Sequence, residues 1–320
     1  MSEYPVRTEH LGKTYSSWFS SRATEALADL TIEVPEGSVF GFLGPNGAGK
    51  TTTINMLIGL LKPTRGQAWL MGRSPMDGQA REHVGYMPEV PTVYPHMTAV
   101  EFLDMMGQLS HIETTRLKAR IDEVISEVGL KGKENIPSIE FSKGMKQRLE
   151  LAQAILAEPK LLILDEPFSG LDPIGRKDIR DLIVRYNKER KITVFFSSHI
   201  LADTEIMCDW VGILNHGKLE ALGMLEELLE VQNIEISGKN LRPEGMMFIE
   251  KMGDHTVKNG DVFSIFLKPN TATERVEQLF HKYGASDVKV KKHCKSLEEF
   301  FLQTVKDASL SKDEEAAETT

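Results

Sequence analysis

The chain has 320 residues, of which 41% are hydrophobic and 27% charged, and its net charge is −9. That composition is typical of a globular protein with one large or two modest domains. The acidic balance argues against a general nucleic-acid binder, whose phosphate partners favour basic surfaces, and no apolar run approaches the ~18 residues that a spanning helix needs.

The start, MSEYPVRTEH, has no basic segment followed by an apolar one, so no secretory signal is expected. Cys208 and Cys294 stand far apart and form no metal-ligand cluster. Free thiols in a cytosolic protein are the simplest reading, with a pair at this separation as the alternative.

In chain order, the first element with a chemical signature is VFGFL (39–43), a short apolar run that feeds into GPNGAGKTTT. Its glycines let the backbone curl into a nest of N–H groups facing an anion. The helix predicted from TINMLIGLL (53–61) adds its positive end. The spacing Gly44, Gly49, Lys50, Thr51 fits the phosphate-binding loop G-x-x-x-x-G-K-[ST]. Lys50 then reaches the β- and γ-phosphates as a point charge, and Thr51 offers its hydroxyl to Mg²⁺. Gly44, Pro45, Asn46, Gly47, Ala48, Gly49, Lys50, Thr51 and Thr52 are therefore the candidate nucleotide cradle. A glycine-rich strand-to-helix turn with no ligand is the plainer alternative.

Further along, residues 98–130 are expected to be helical, with Thr98 and Glu101 as a capping box. LLIL (161–164) and ITVFFSS (192–198) suit buried parallel strands. Between them, Asp172 and Pro173 begin a helix as N-cap and first residue. Residues 209–223 read as a hairpin with its turn at Asn215–Gly217. Asp165 and Glu166 follow the four aliphatics of LLIL. Two adjacent acids at the end of a buried strand are costly unless a cation or a reaction uses them. Asp165 on Mg²⁺ and Glu166 on the attacking water account for both.

After about residue 230 the composition shifts. NIEIS, MMFIE and VFSIFL are strand candidates, TERVEQLFHKYG a helix, DVKVKK a strand and SLEEFFLQTV a last helix. From Asp307 the tail carries five acids against one lysine and is expected to be disordered.

In their order, these motifs resemble the ATP-binding cassette (ABC) ATPases over about residues 5–230. FSKGMKQR (141–148) resembles the family signature LSGGQ-x-x-R, which lies at a helix N-terminus and binds the γ-phosphate held by the opposite subunit. Ser142 and Gly144 match it, whereas Phe141, Lys143 and Met145 depart. SGLD (169–172) resembles the D-loop of the dimer interface, with Asp172 in the aspartate position and free to act as a helix cap as well. His199 resembles the switch histidine that contacts the γ-phosphate. Tyr15 stands where the family stacks a ring on adenine, with Trp18 and Phe19 as rivals. In GYMPE (85–89), Glu89 takes the place of the usual glutamine, which binds Mg²⁺ and links the site to the membrane subunit. A glutamate can still offer an oxygen to a hard cation, but it adds negative charge beside Asp165.

The resemblance implies an α/β P-loop NTPase fold with an antiparallel β subdomain and a helical insertion at about residues 90–155, all within a domain of residues 1–232. A small α+β accessory domain (233–306) and the acidic tail (307–320) follow. ATP and Mg²⁺ are the implied cofactors. Lys50, Glu166 and His199 are the implied catalytic groups, with Thr51, Glu89 and Asp165 around the metal. The implied place is the cytoplasmic face of a membrane. The implied partners are polytopic permease subunits and a second copy of the chain or a homologous ATPase subunit, with no nucleic acid. YxPE together with SKGM points to the exporter-like branch with a separate permease. The alternative is a soluble cassette ATPase that drives assembly or remodelling of another macromolecule. A regulatory module without turnover is disfavoured by Glu166 and His199.

Overall fold

The computed structural model describes residues 4–17, 20–229, 231–249, 255–259, 261–269, 271 and 273–318. The rival adenine rings Trp18 and Phe19 lie outside the described residues. Two units divide the chain, Met1–Leu225 with Phe301–Thr320, and Glu226–Phe300.

The first unit opens with β1 (Val6–Ser17) and β2 (Ser20–Val34), followed by β3 (Val39–Leu43), α1 (Lys50–Leu57), β4 (Arg65–Leu70) and β5 (Val84–Met87). Helices α2 (Ala99–Leu109), α3 (Thr114–Glu127) and α4 (Lys143–Leu156) come next, and then β6 (Leu161–Asp165), α5 (Pro173–Arg190), β7 (Thr193–Ser198) and α6 (Leu201–Met207). The hairpin β8 (Trp210–Asn215) and β9 (Lys218–Met224) closes the series. The strands make a nine-stranded sheet in the order β4-β1-β2-β9-β8-β3-β7-β6-β5. β8, β3, β7, β6 and β5 run parallel, while β1 pairs antiparallel with both β2 and β4.

The unbroken apolar runs of β6 and β7 follow from their central place, since every residue in both is buried. Successive side chains point to opposite faces. Leu162, Leu164, Val194 and Phe196 enter one core with the inserted helices, through Phe102, Ile121 and Leu149. Leu161, Ile163 and Phe195 enter the other core with Ile54 of α1 and Leu30 of β2. The Phe40 and Phe195 rings stack there with centroids 5.4 Å apart. The expected helical stretch 98–130 is interrupted between Leu109 and Thr114, where His111 takes φ 56°. The Thr98–Glu101 capping box forms at the start of α2.

After the single-turn helix α7 (Leu225–Leu228), the second unit contains β10 (Val231–Lys239), α8 (Pro243–Ile249), β11 (His255–Asn259), β12 (Val262–Leu267), α9 (Thr273–Lys282) and β13 (Ser286–Cys294). Its four strands form an antiparallel sheet in the order β11-β12-β10-β13. Ile234, Ile236, Phe263 and Ile265 pack under Val276 and Phe280 of α9. The last helix spans Leu297–Glu318.

Three expectations differ from this. MMFIE is not a strand: its described part lies in α8, which Pro243 opens and Glu244 supports in the first turn. Apolar runs this short do not distinguish strand from helix. The tail from Asp307 is not irregular either, because the last helix continues to Glu318. Residues 297–318 contain neither Gly nor Pro and are rich in Glu, Ala, Lys and Leu, which are strong helix formers. Lastly, the division between units falls at Leu225, upstream of the expected boundary at 232.

Candidate nucleotide site

The register of three parallel strands sets the site. Leu43 at the end of β3 lies opposite Ser198 of β7, and Ser197 lies opposite Asp165 of β6. The chain therefore delivers the glycine-rich loop, His199 and the Asp165–Glu166 pair to neighbouring strand ends. This carboxyl edge is where open α/β sheets bind ligands.

The loop is held by its neighbours at positions that only glycine can fill. A Cβ on Gly44 would lie 2.3 Å from the Leu214 carbonyl oxygen, and one on Gly49, at φ 111°, would lie 2.5 Å from that of Ala26. The Gly217 N–H donates to the Ala48 carbonyl at 2.9 Å, which ties the loop to the β8–β9 turn. Lys50 is buried. Its ammonium donates to the Gly44 carbonyl at 2.7 Å and the Pro45 carbonyl at 3.3 Å, and lies 3.3 Å from Glu166 Oε1. An open cleft of ≈ 280 Å³ is lined by Asn46 to Thr52, with Ala26, Glu89 and Glu166.

Glu166 is the centre of the arrangement. Its second oxygen, Oε2, lies 2.7 Å from His199 Nδ1, so one buried carboxylate joins the loop lysine to the histidine. Its backbone sits at φ 50°, a left-handed conformation that costs on the order of 1–3 kcal/mol outside glycine. Ser197 maintains it. The Ser197 hydroxyl accepts from the Glu166 N–H at 2.9 Å and donates to Asp165 Oδ1 at 2.6 Å. Burial holds the Asp165 carboxyl above the usual carboxylate range, and adjacent Glu166 adds to this. Hydrogen bonds from Ser197 and Thr51 and the charge of Lys50 oppose it.

These features fit a nucleotide with a divalent cation. The loop presents N–H groups and a lysine, as a polyphosphate needs. Asp165, Thr51 and Glu89 offer oxygen atoms of the kind Mg²⁺ prefers, and a cation would relieve the buried Asp165 charge. Among the described residues no three His, Cys, Asp or Glu side chains could hold a metal together. A cation that takes its remaining ligands from phosphate and water suits such a site.

Other candidate residues form a second group outside the cleft lining. Ser142 caps α4, with its hydroxyl accepting from the Met145 N–H at 3.2 Å, and Asp172 caps α5, accepting from the Gly175 N–H at 2.9 Å. Leu171 lies against Gly144, and Gln147 donates to the Ser169 carbonyl at 2.6 Å, so the two helix starts are packed together. Tyr15 is 44% exposed on β1, with Lys13 Nζ 5.4 Å from its ring centroid. It pairs with Thr24, two residues from the cleft residue Ala26.

Sequence reasoning missed Ser197 and Glu150. Buried Glu150 on α4 accepts from the Thr92 backbone and hydroxyl, fastening the segment after Glu89 to the helix that Ser142 caps. Polar residues within otherwise apolar stretches, FFSS and RLELA, were the available signal.

A family model described as ABC transporter matches residues 27–169. An ABC transporter ATP-binding protein of Synechocystis sp. is 42% identical over 227 residues, which cover 70% of this chain and 64% of that protein. The bacitracin transport ATP-binding protein BcrA of Bacillus licheniformis is 37% identical over 314 residues, 94% of this chain and 97% of that one. Among solved structures, the ATP-binding subunit of an ABC transporter superposes with a TM-score of 0.62 at 32% identity, covering 70% of this chain and 91% of that chain. The loop and Glu166 line one cleft, with His199 hydrogen-bonded to that carboxylate, and the likenesses settle the family: the chain is an ATP-hydrolysing, ATP-binding subunit of the ABC transporters.

Proposed function

We propose that two such chains close face to face over two ATP–Mg²⁺ and drive export through a separate transmembrane permease at the cytoplasmic face of a membrane. The observation that carries this reading is the bridge from Lys50 through Glu166 to His199. Glu166 orients the attacking water and takes its proton. Lys50 counters charge on the β- and γ-phosphates, and His199 fixes the Glu166 carboxylate and faces the γ-phosphate. Thr51, Asp165 and Glu89 would hold Mg²⁺, whose chemistry is charge neutralisation on the phosphate oxygens. Tyr15 would stack on adenine. Ser142, Gly144 and Asp172 are grouped on two helix starts outside the cleft lining, and this favours their serving the nucleotide of a second chain.

The second unit acts as an accessory domain in this reading. No helix among the described residues is long and apolar enough to cross a membrane, and in this reading the permease supplies the span. Exposed Val90, Tyr94 and Ile139 suit contact with that permease, because Ser138 hydrogen-bonds the Tyr94 carbonyl and joins the two segments. Likeness to BcrA along nearly the whole chain favours transport over soluble remodelling. Affinity purification from membranes tests this: a polytopic protein should co-purify, and steady-state ATP hydrolysis should need a divalent cation. Recovery only from the soluble fraction with a soluble client would contradict the transport reading.

A further inference from the structure

The segment after His199 carries an ionic clamp that the motifs do not explain. His199 and Ile200 connect the end of β7 to α6, a helix of seven residues. A helix this short is not stable by itself, so tertiary contacts decide where it lies. Asp203, 8% exposed, supplies one: Oδ2 lies 3.1 Å from Arg176 Nη1 and Oδ1 lies 3.1 Å from Arg180 Nη1. Both arginines belong to α5, the helix that Asp172 caps. The pairs are largely withdrawn from water, with side chains 11% exposed for Asp203, 14% for Arg180 and 28% for Arg176. The competing acid Asp181 is 3.6 Å from Arg180 Nε and 58% exposed.

We propose that Asp203 is a positioning residue for hydrolysis: by joining α6 to α5 it fixes His199 relative to the D-loop Asp172. The assignment rests on the catalytic reading of Glu166 and His199 above. The clamp shares one rigid helix with the D-loop, so a displacement of Asp172 by a facing chain would be passed to the histidine. Loss of the carboxylate leaves two guanidinium groups facing each other with no shared counter-charge. α6 would then shift away from α5, and His199 Nδ1 would lose its register with Glu166. ATP binding itself involves the loop at β3 and is not expected to change.

The test uses the full chain and ATP. Asp203→Asn should lower kcat by about tenfold or more while KM for ATP moves less than about twofold, and Asp203→Glu should recover most of the rate. In a His199→Ala background, Asp203→Asn should add nothing, because residues acting through one another are non-additive. An unchanged kcat, a rise in KM that accounts for the loss, or an equal loss in the His199→Ala background would each overturn the proposal. If Asp203→Asn fails to fold, Arg176→Gln takes its place, since it leaves Arg180 on the carboxylate. A smaller kcat loss is expected, because Arg180 still holds Asp203 to α5, and no loss at all would overturn the clamp. Glu166→Gln run in parallel keeps the two readings apart. Normal turnover there counts against the catalytic assignment, whereas normal turnover in Asp203→Asn alone counts against the clamp.

Discussion

The two sheets of this chain differ in how many faces they bury. In the nine-stranded sheet, β6 and β7 are buried at every position. In the four-stranded sheet, buried and half-exposed residues alternate along β10. A strand enclosed on both sides tolerates a charge only at its end and only with a partner. The acids after LLIL and the serines and histidine after VFF therefore identify a site by their chemistry. Nothing comparable limits the open face of the smaller sheet, where Glu235, Lys291 and His293 are set by solvation and by one another. Charge is informative where the fold makes it expensive.

Breaking the enclosed side should have the larger consequences. Lys50→Ala should reduce ATP turnover to less than a tenth of wild type, because the phosphates lose their nearest fixed cation; a tenfold loss corresponds to about 1.4 kcal/mol of barrier. The chain should still fold, with a lower melting temperature, because buried Glu166 loses its paired cation.

Asp165→Asn should also abolish turnover, yet in the absence of nucleotide and metal it should melt at or above the wild-type temperature near pH 7. The sign follows from the raised pKa of Asp165. Its contribution to stability is fully present below the unfolded value and is lost as pH rises through the folded value, when a charge must be buried. The advantage of asparagine should thus shrink as pH is lowered through that range, which melting curves at several pH values would show. An advantage that grows at low pH would contradict the assignment.

In the second unit, Ile265→Ala should cost about 2–5 kcal/mol of that unit's stability while leaving ATP turnover within about twofold, since every residue lining the cleft lies in the first unit. Denaturant melts followed alongside activity would separate the two effects, and a parallel collapse of hydrolysis would remove the contrast between the sheets. The smallest effect is expected from Glu89→Gln, which removes one negative charge at the exposed margin of the cleft. Its Mg²⁺ titration should shift while nucleotide affinity persists, and an unchanged titration would place Glu89 away from the metal.

Much of the site was legible because its parts are contiguous motifs with fixed spacing. Gly44 to Thr51 and the pair Asp165–Glu166 could be assigned from residue chemistry alone. The role of His199 was proposed from family order alone; its contact with Glu166 is a finding of the structure, and the strand register supplies its physical cause. Ser197 was missed: a polar residue in FFSS hinted at a site, but nothing in the sequence says that its hydroxyl joins the Glu166 N–H to the Asp165 carboxylate. The Asp203 clamp was hidden for the same reason: its partners lie more than twenty residues upstream on another helix. In the second unit, α8 was misread because a run as short as MMFIE fits either periodicity. The extent of the last helix depends on propensity summed over many residues, not on any one of them.

The central claim is that the cleft is one half of a site completed by the α4 start of a second chain, and Glu166→Gln tests it most directly. The substitution keeps the shape of the side chain and removes the base, so hydrolysis should fall by about two to four orders of magnitude. With saturating ATP and Mg²⁺, the variant should elute from a sizing column as a dimer, and adding Ser142→Arg should return it to a monomer without loss of nucleotide binding. Normal hydrolysis by Glu166→Gln, or a dimer that survives Ser142→Arg, would contradict the account.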